Sequence, residues 1–172
     1  MLRQSSSSGP QNAAAPEVRK PVRLAPRLCT GPGTATSYAA FCQDYGRVYR
    51  QYASSVTGCA VTGGRLADVA FRELGAPWHT VLRSAVPSAL GWALLCATTA
   101  SHRTATARML HQVLGPRGAD ALVLYYRLGL TMHQVGPAMG VDPSTFDLCR
   151  RSALRKAACL GQWAHMPELN AL

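Results

Sequence analysis

The stretch LTMHQVGPAMGVDPSTFDLCRR, Leu130–Arg151, decides how this chain is read. It has the pattern of a helix-turn-helix: a short helix, a glycine turn, and a second helix carrying positive charge. Gly140 is the pivot, and Gly136 is small where the two helices must approach. Val135, Met139, Val141, Phe146 and Cys149 are apolar where both helices face a common core. Thr131 is placed to cap the first helix. Asp142 followed by Pro143 supplies an N-cap and a proline at the first helical position of the second. Pro137 falls inside the first helix, where it removes a backbone hydrogen bond and predicts a kink costing about 3 kcal/mol. The plainer reading of the same pattern is a helical hairpin in a small all-helical domain.

Upstream, Asp120–Leu128 reads as a helix burying Ala121, Leu122, Leu124, Tyr125 and Leu128, and Gly129 ends it. His102–Leu114 carries a weaker helical pattern that stops at Gly115-Pro116. Further back, Tyr38, Phe41, Tyr45, Tyr49, Tyr52 and Val56 recur at three- and four-residue steps and line one helix face, with Arg47 and Arg50 off it. A break over Gly58–Gly64 follows, then a shorter helix through Leu66, Val69, Ala70 and Leu74, closed by Pro77 and Trp78. Pro87 opens the next helix, whose inward face is predicted as Leu90, Ala93, Leu94 and Ala97 with Trp92 beside it. Downstream, the second helix of the pair runs on through Ala153, Leu154 and Ala157. No stretch alternates with period two over a useful length and no repeat is visible, so the fold class is all-α, in two small helical lobes.

The division expected is a disordered basic tail over 1–36, a first helical domain over 37–100, a linker over 101–115, the helix-turn-helix domain over 116–160 and a C-terminal tail over 161–172. The N-terminal stretch holds a serine run (Ser5–Ser8) and prolines at 10, 16, 21, 26 and 32; Arg3, Arg19, Lys20, Arg23 and Arg27 face only Glu17. An Arg- and Ser-rich start is also the composition of an organellar transit peptide, although the prolines break any long amphipathic helix.

The chain has 172 residues and a formal net charge of +10, from 18 basic and 8 acidic residues, a balance that favours an anionic partner. The six cysteines show no C-x-x-C spacing and fall mostly on apolar helix faces, which fits reduced, structural thiols in a cytoplasm. No apolar run approaches the roughly 18 residues of a membrane span; the longest, Ala89–Ala100, carries Trp92 midway. His79, His102, His111, His133 and His165 fall into no H-E-x-x-H or Cys/His metal spacing. No nucleophile elbow, phosphate loop or dinucleotide fingerprint is present, and the few carboxylates do not pair on an evident shared face. The expectation is therefore a non-enzyme with no metal and no cofactor.

The segment LGPRGADALVLYYRLGLTMHQVGPAMGVDPSTFDLCRRSALRKA resembles region 4 of the sigma-70 family of transcription initiation factors, in its small extracytoplasmic-function type. The matching residues are Ala121–Tyr126, Leu128–Thr131, Val135, Gly140-Val141, Thr145-Phe146 and the series Arg150, Arg151, Arg155. The front half, with FCQDYGRVYRQYA, then LADVAFREL and Trp78 in order, resembles region 2; the likeness covers roughly residues 38–158. The resemblance implies a protein that binds core RNA polymerase with its front half and promoter DNA with its second helix, with an anti-sigma factor as a further partner. Of the family's acidic polymerase-gripping helix only Ala67, Asp68 and Phe71 are present, so Asp68 and Phe71 are the polymerase candidates. Exposed rings stack on unpaired bases. Among Trp78, Trp92 and Tyr49 the first, at a helix boundary after Pro77, is the promoter-melting candidate; core packing is the plainer role for all three.

A helix about 10–12 Å across fits the major groove, so one stripe of the second helix would see base edges. The reading candidates are Ser144, Thr145, Asp147, Leu148 and Arg151, while Arg150, Arg155 and Lys156 are placed for phosphates. Asp147 is repelled by phosphate but can accept from a cytosine amino group. Two other classes fit the same residues: a free-standing helix-turn-helix regulator without polymerase binding, and a sigma-like protein-interaction module. The last predicts no salt-dependent DNA binding, whereas the others predict some.

Overall fold

The aromatic periodicity of the front half builds the longest helix among the described residues, and most of the other elements pack against it. The computed structural model describes residues 32–159, with side chains from residue 35. The tail expected over 1–36 lies outside the described residues up to residue 31, as does the tail over 161–172. Helix α1 spans Pro32–Thr57 and so begins before Ser37, where the change in composition had placed it. Phe41, Val48, Tyr49, Tyr52, Ala53 and Val56 are buried along its inner face. Helix α2 (Ala60–Gly75) runs antiparallel to it, its start beside Ser54 and its end beside Tyr38.

The predicted break over Gly58–Gly64 shrinks to Gly58 and Cys59, and both Gly63 and Gly64 are helical. The reason is packing rather than flexibility. A Cβ on Gly63 would stand 2.3 Å from the Ser54 nitrogen, so the missing side chain is what lets the two backbones touch. After the single turn α3 (Trp78–Val81), α4 (Pro87–Thr99) packs on α2 and α1. Its inward face is Ser88, Gly91, Trp92, Leu95 and Thr99. The predicted face is corrected: Leu90, Ala93 and Ala97 are exposed and Leu94 is half-buried. This helix is apolar nearly all round, so its pattern does not fix its rotation. Gly91, whose Cβ would meet the Tyr49 hydroxyl at 2.9 Å and the Phe41 ring at 3.0 Å, sets the rotation instead.

A 3₁₀ turn (Ala100–His102) leads to α5 (Ala105–Leu114), capped by Thr104, whose Oγ1 accepts from the Ala107 N–H at 3.2 Å. The stretch expected as a linker is thus largely helix, and α5 packs on α6 and α8. Helix α6 (Pro116–Leu122) continues directly into a π-helical turn, Val123–Arg127. The pair α7 (Met132–Met139) and α8 (Pro143–Cys159) completes the fold.

All described elements are helical, as the sequence predicts. The two lobes do not separate in the core, however. One apolar cluster runs from Phe41, Tyr49 and Trp92 in the front half through Ala121, Leu124, Val135, Ala138 and Phe146 in the rear. Fully burying a side chain of that size contributes about 1.5–3 kcal/mol, so a shared core couples the two halves strongly. A smaller cluster of Leu114, Leu122, Ala153 and Ala157 holds α8 to α5 and α6. Tyr125 and Leu128, predicted buried, are half-buried at the rim.

Candidate nucleic-acid interface

The turn between α7 and α8 is built from short-range signals. At the start of α7 the Gln134 side-chain oxygen accepts from the Thr131 N–H at 3.0 Å and from its hydroxyl at 3.1 Å, the reciprocal half of a capping box. At the other end Gly140 adopts the left-handed conformation (φ +69°), and the Val141 N–H reaches back to the Gly136 carbonyl at 2.9 Å. Only glycine fits here twice over, because a Cβ on Gly140 would also stand 2.4 Å from the Ala89 nitrogen at the start of α4. Pro137 is exposed and α7 runs through it; the carbonyl that loses its donor is that of exposed His133, where water can replace it.

Asp142 starts α8, accepting from the Thr145 N–H at 2.9 Å and from its hydroxyl. The Thr145 hydrogen bond is the main influence that holds the Asp142 carboxyl below its ordinary range. Phe146, Ala153 and Ala157 face inward. The outward residues Ser144, Leu148, Arg151 and Arg155 follow at steps of four, three and four, which is one straight stripe on a helix. Lys156 is exposed beside it, and Leu148 is 58% exposed, unusual for a leucine.

Of the eight residues predicted to meet DNA, Ser144, Leu148, Arg151, Arg155 and Lys156 come together on this outer surface. Thr145 and Asp147 sit half-buried at its edge. Arg150 does not join them. Its guanidinium donates to Asp147 at 2.6 Å and to the Tyr126 hydroxyl at 2.8 Å, and it lies 4.8 Å from the centre of the Tyr125 ring. Rather than projecting outward for a phosphate, it braces α8 against the π turn. Asp147 is a fork: its second oxygen pairs with Arg151 Nε at 2.9 Å, within the exposed stripe. The hydrogen bond from Arg150, then the charge of Arg151, holds the Asp147 carboxyl below its ordinary value.

The front-half candidates fall in different places. Asp68 is exposed and pairs with Arg50 at 2.9 Å. Phe71 is a core residue, stacked on Tyr49 at 5.2 Å. Trp78 is buried as well; its indole N–H donates to the Ser37 hydroxyl at 2.9 Å, and its ring packs against Tyr38 and Phe41 at 5.2 and 5.0 Å. Both rings are packed in the core, so neither stands on the surface where the sequence reading had placed a polymerase or base-stacking contact. Tyr49 and Trp92 are buried too.

One polar cluster escaped the sequence reading. Asp120 is 2% exposed and His111 8% exposed, and His111 Nε2 lies 2.8 Å from the Asp120 carboxylate. The other ring nitrogen of His111 lies 2.7 Å from the Ala107 carbonyl, which can only accept, so it carries a proton. The Tyr52 hydroxyl also donates to Asp120, as do the Trp92 indole N–H at 3.2 Å and the Cys96 thiol at 3.5 Å. Burial, reinforced by the Asp120 carboxylate, pushes the Tyr52 phenol and the Cys96 thiol well up, so both stay protonated donors at neutral pH. The cluster joins α1, α4, α5 and α6. The available signal was an aspartate set in the apolar run Ala119–Leu124, which needs a buried partner.

Among the described cysteines, Cys42, Cys96 and Cys149 are half-buried thiols while Cys59 and Cys159 are exposed, so the apolar-face prediction fails for the last two. Among the described residues no helix is long and apolar enough to cross a membrane. No family model, curated protein or solved structure matches this chain.

Proposed function

We propose that this chain is a sigma-factor-like transcription protein, without enzymatic activity of its own, that binds duplex promoter DNA through α8 and core RNA polymerase through its front half in the cytoplasm. The observation that carries the DNA part is the straight outward stripe Ser144, Leu148, Arg151, Arg155 on a helix that a left-handed Gly140 projects from α7. A helix presented this way enters the major groove with one face toward the bases. Arg151 suits a guanine edge, Leu148 a thymine methyl group, and Arg155 and Lys156 the phosphates.

The polymerase part rests on the sequence resemblance and on exposed Asp68. A second reading, a free-standing helix-turn-helix regulator, is favoured by the burial of Phe71 and Trp78, which leaves the front half with fewer exposed family-like side chains. Co-elution of the full chain with core RNA polymerase at moderate salt separates the two. Co-elution supports the sigma-like role. Its absence, with core kept active by a control sigma factor, leaves the regulator. Loss of duplex binding in Arg151→Ala tests the element common to both; salt-independent behaviour with every duplex would sink both and leave a protein-interaction module.

A further inference from the structure

We propose that Cys59 is a reversible modification site, and that the cleft beside it receives a small peptide disulfide carrying carboxylates. The cleft has a volume of about 490 Å³ and lies between the end of α1, the start of α2 and the last residue of the π turn. Small-molecule sites span about 300–1,000 Å³, so the space suits a ligand the size of a short peptide. Its lining holds two cations, Arg50 and Arg127, and no carboxylate. Among the described residues Arg127 forms no ion pair, and Arg50 meets Asp68 in a bridge whose two side chains are each more than half exposed. An exposed pair of that kind exchanges partners at little cost, so both guanidiniums are open to an incoming anion.

The α1 wall adds a requirement that charge alone does not. Gln51 Oε1 and Ser55 Oγ, on two of the lining residues, are closed to solvent and have no hydrogen-bond partner among the described residues. Buried polar atoms are ordinarily paired, and an amide oxygen pairs only with a donor. A ligand with peptide N–H groups supplies that donor, whereas a bare anion does not. Carboxylates for the arginines and N–H groups for Gln51 together describe a short acidic peptide. Cys59 is exposed at the N-cap of α2 and lines the same cleft. The Thr62 hydroxyl, then the N–H groups of Thr62 and Val61, hold its thiol below the ordinary value, so more of it is thiolate. That thiolate attacks one sulfur of the peptide disulfide. A bond forms between them as the S–S bond of the small molecule breaks, and its other half leaves as a thiolate that takes a proton from water. Cys59 is oxidised, the disulfide is reduced, and the half that stays lies in the cleft.

The test treats the reduced full chain with oxidised glutathione, an anionic peptide disulfide, or with cystamine, a cationic one, and follows Cys59 by peptide mass mapping. Dividing the first rate by the second cancels the thiolate fraction. In the folded chain this ratio is expected to be roughly tenfold above that of the same chain unfolded in urea, because a cleft of one charge concentrates the opposite one. Arg127→Gln, at an exposed position, removes most of this gain with the circular dichroism unchanged, and Arg127→Lys keeps it. Dithiodiglycolate, anionic but without N–H groups, gains less than glutathione. Equal ratios in the folded and unfolded chain overturn the proposal, since the thiol then reacts without recognition. A gain that Arg127→Gln leaves intact also overturns it, because the attraction then comes from the net charge of +10 rather than from the cleft. A gain for dithiodiglycolate equal to that for glutathione overturns the peptide class. Failure of DNA or polymerase binding leaves these rates untouched, so the two readings are judged separately.

Discussion

Asp120 and Asp147 are two aspartates that each gather several donors, and they do opposite things. Asp120 sits among Tyr52, Trp92, Cys96 and His111, from three other helices, and has almost no contact with solvent. Among the described residues Asp147 holds only Arg150 and Arg151, its neighbours on the same helix, at the edge of the exposed surface. A buried carboxylate cannot exchange partners without an uncompensated desolvation cost, so it fixes structure. A surface carboxylate trades its partners for water or phosphate at little cost, so it can regulate a contact without holding the fold. The difference teaches that the count of hydrogen bonds does not assign a role; access to an alternative partner does.

The strongest way to break this comparison is Asp120→Ala, which leaves Tyr52, Trp92 and Cys96 without their shared acceptor. It is expected to cost about 3–5 kcal/mol in chemical denaturation; a loss under about 1 kcal/mol would place the cluster with the surface pairs. Next comes the joint between the two regions. Gly140→Ala puts a Cβ against the α4 backbone at a left-handed position, and a loss of about 2–4 kcal/mol in the same assay is expected. If the variant is neutral, the turn does not bear on α4 as described.

Asp147→Asn sharpens the other side. It frees Arg151 while leaving Arg150 its Tyr126 contact, so thermal stability changes little and duplex affinity rises a few-fold, with a salt dependence steeper by about one counterion. Filter binding across a salt series reads this, and weaker binding would mean that Asp147 contacts the DNA directly. The smallest effect is in acid. Asp142 and Asp147 both titrate below the usual aspartate value of about 4. Their contributions to the first turns of α8 are therefore complete above that value and are lost as the pH falls through the lower, folded one. Amide exchange along α8 is expected to quicken at its start below about pH 4, with no matching change at its inward-facing end.

The same distinction explains what the sequence showed. The Thr131–Gln134 pair, the Gly140 turn and Asp142-Pro143 each close hydrogen bonds spanning no more than five residues, so the turn and both helix ends were readable from local chemistry. Gly63 was not, because the contact that needs a glycine there is with Ser54 on another helix, and in isolation the residue looks like a break. Helix α4 carried apolar residues on every side, and only Tyr49 and Phe41 decide which of them turn inward. The Asp120 cluster spans 68 residues from Tyr52, beyond any spacing rule. At the candidate interface the exposed stripe was legible from periodicity. The removal of Arg150 from it was not, since its partner Tyr126 lies 24 residues away.

The π turn at Val123–Arg127 sets a limit on how this chain can change. It holds one more residue per turn than an α-helix would, and that extra residue aims Tyr125 and Tyr126 at Arg150 while Ala119–Leu122 keep their inward face. Deleting a single residue there would restore ordinary winding, so Ala119–Leu122 would keep their inward face while the bulge that carries the tyrosines toward α8 would be lost. The tyrosines would then turn away from Arg150. Point substitutions can drift at these five positions, but the length of the segment is pinned.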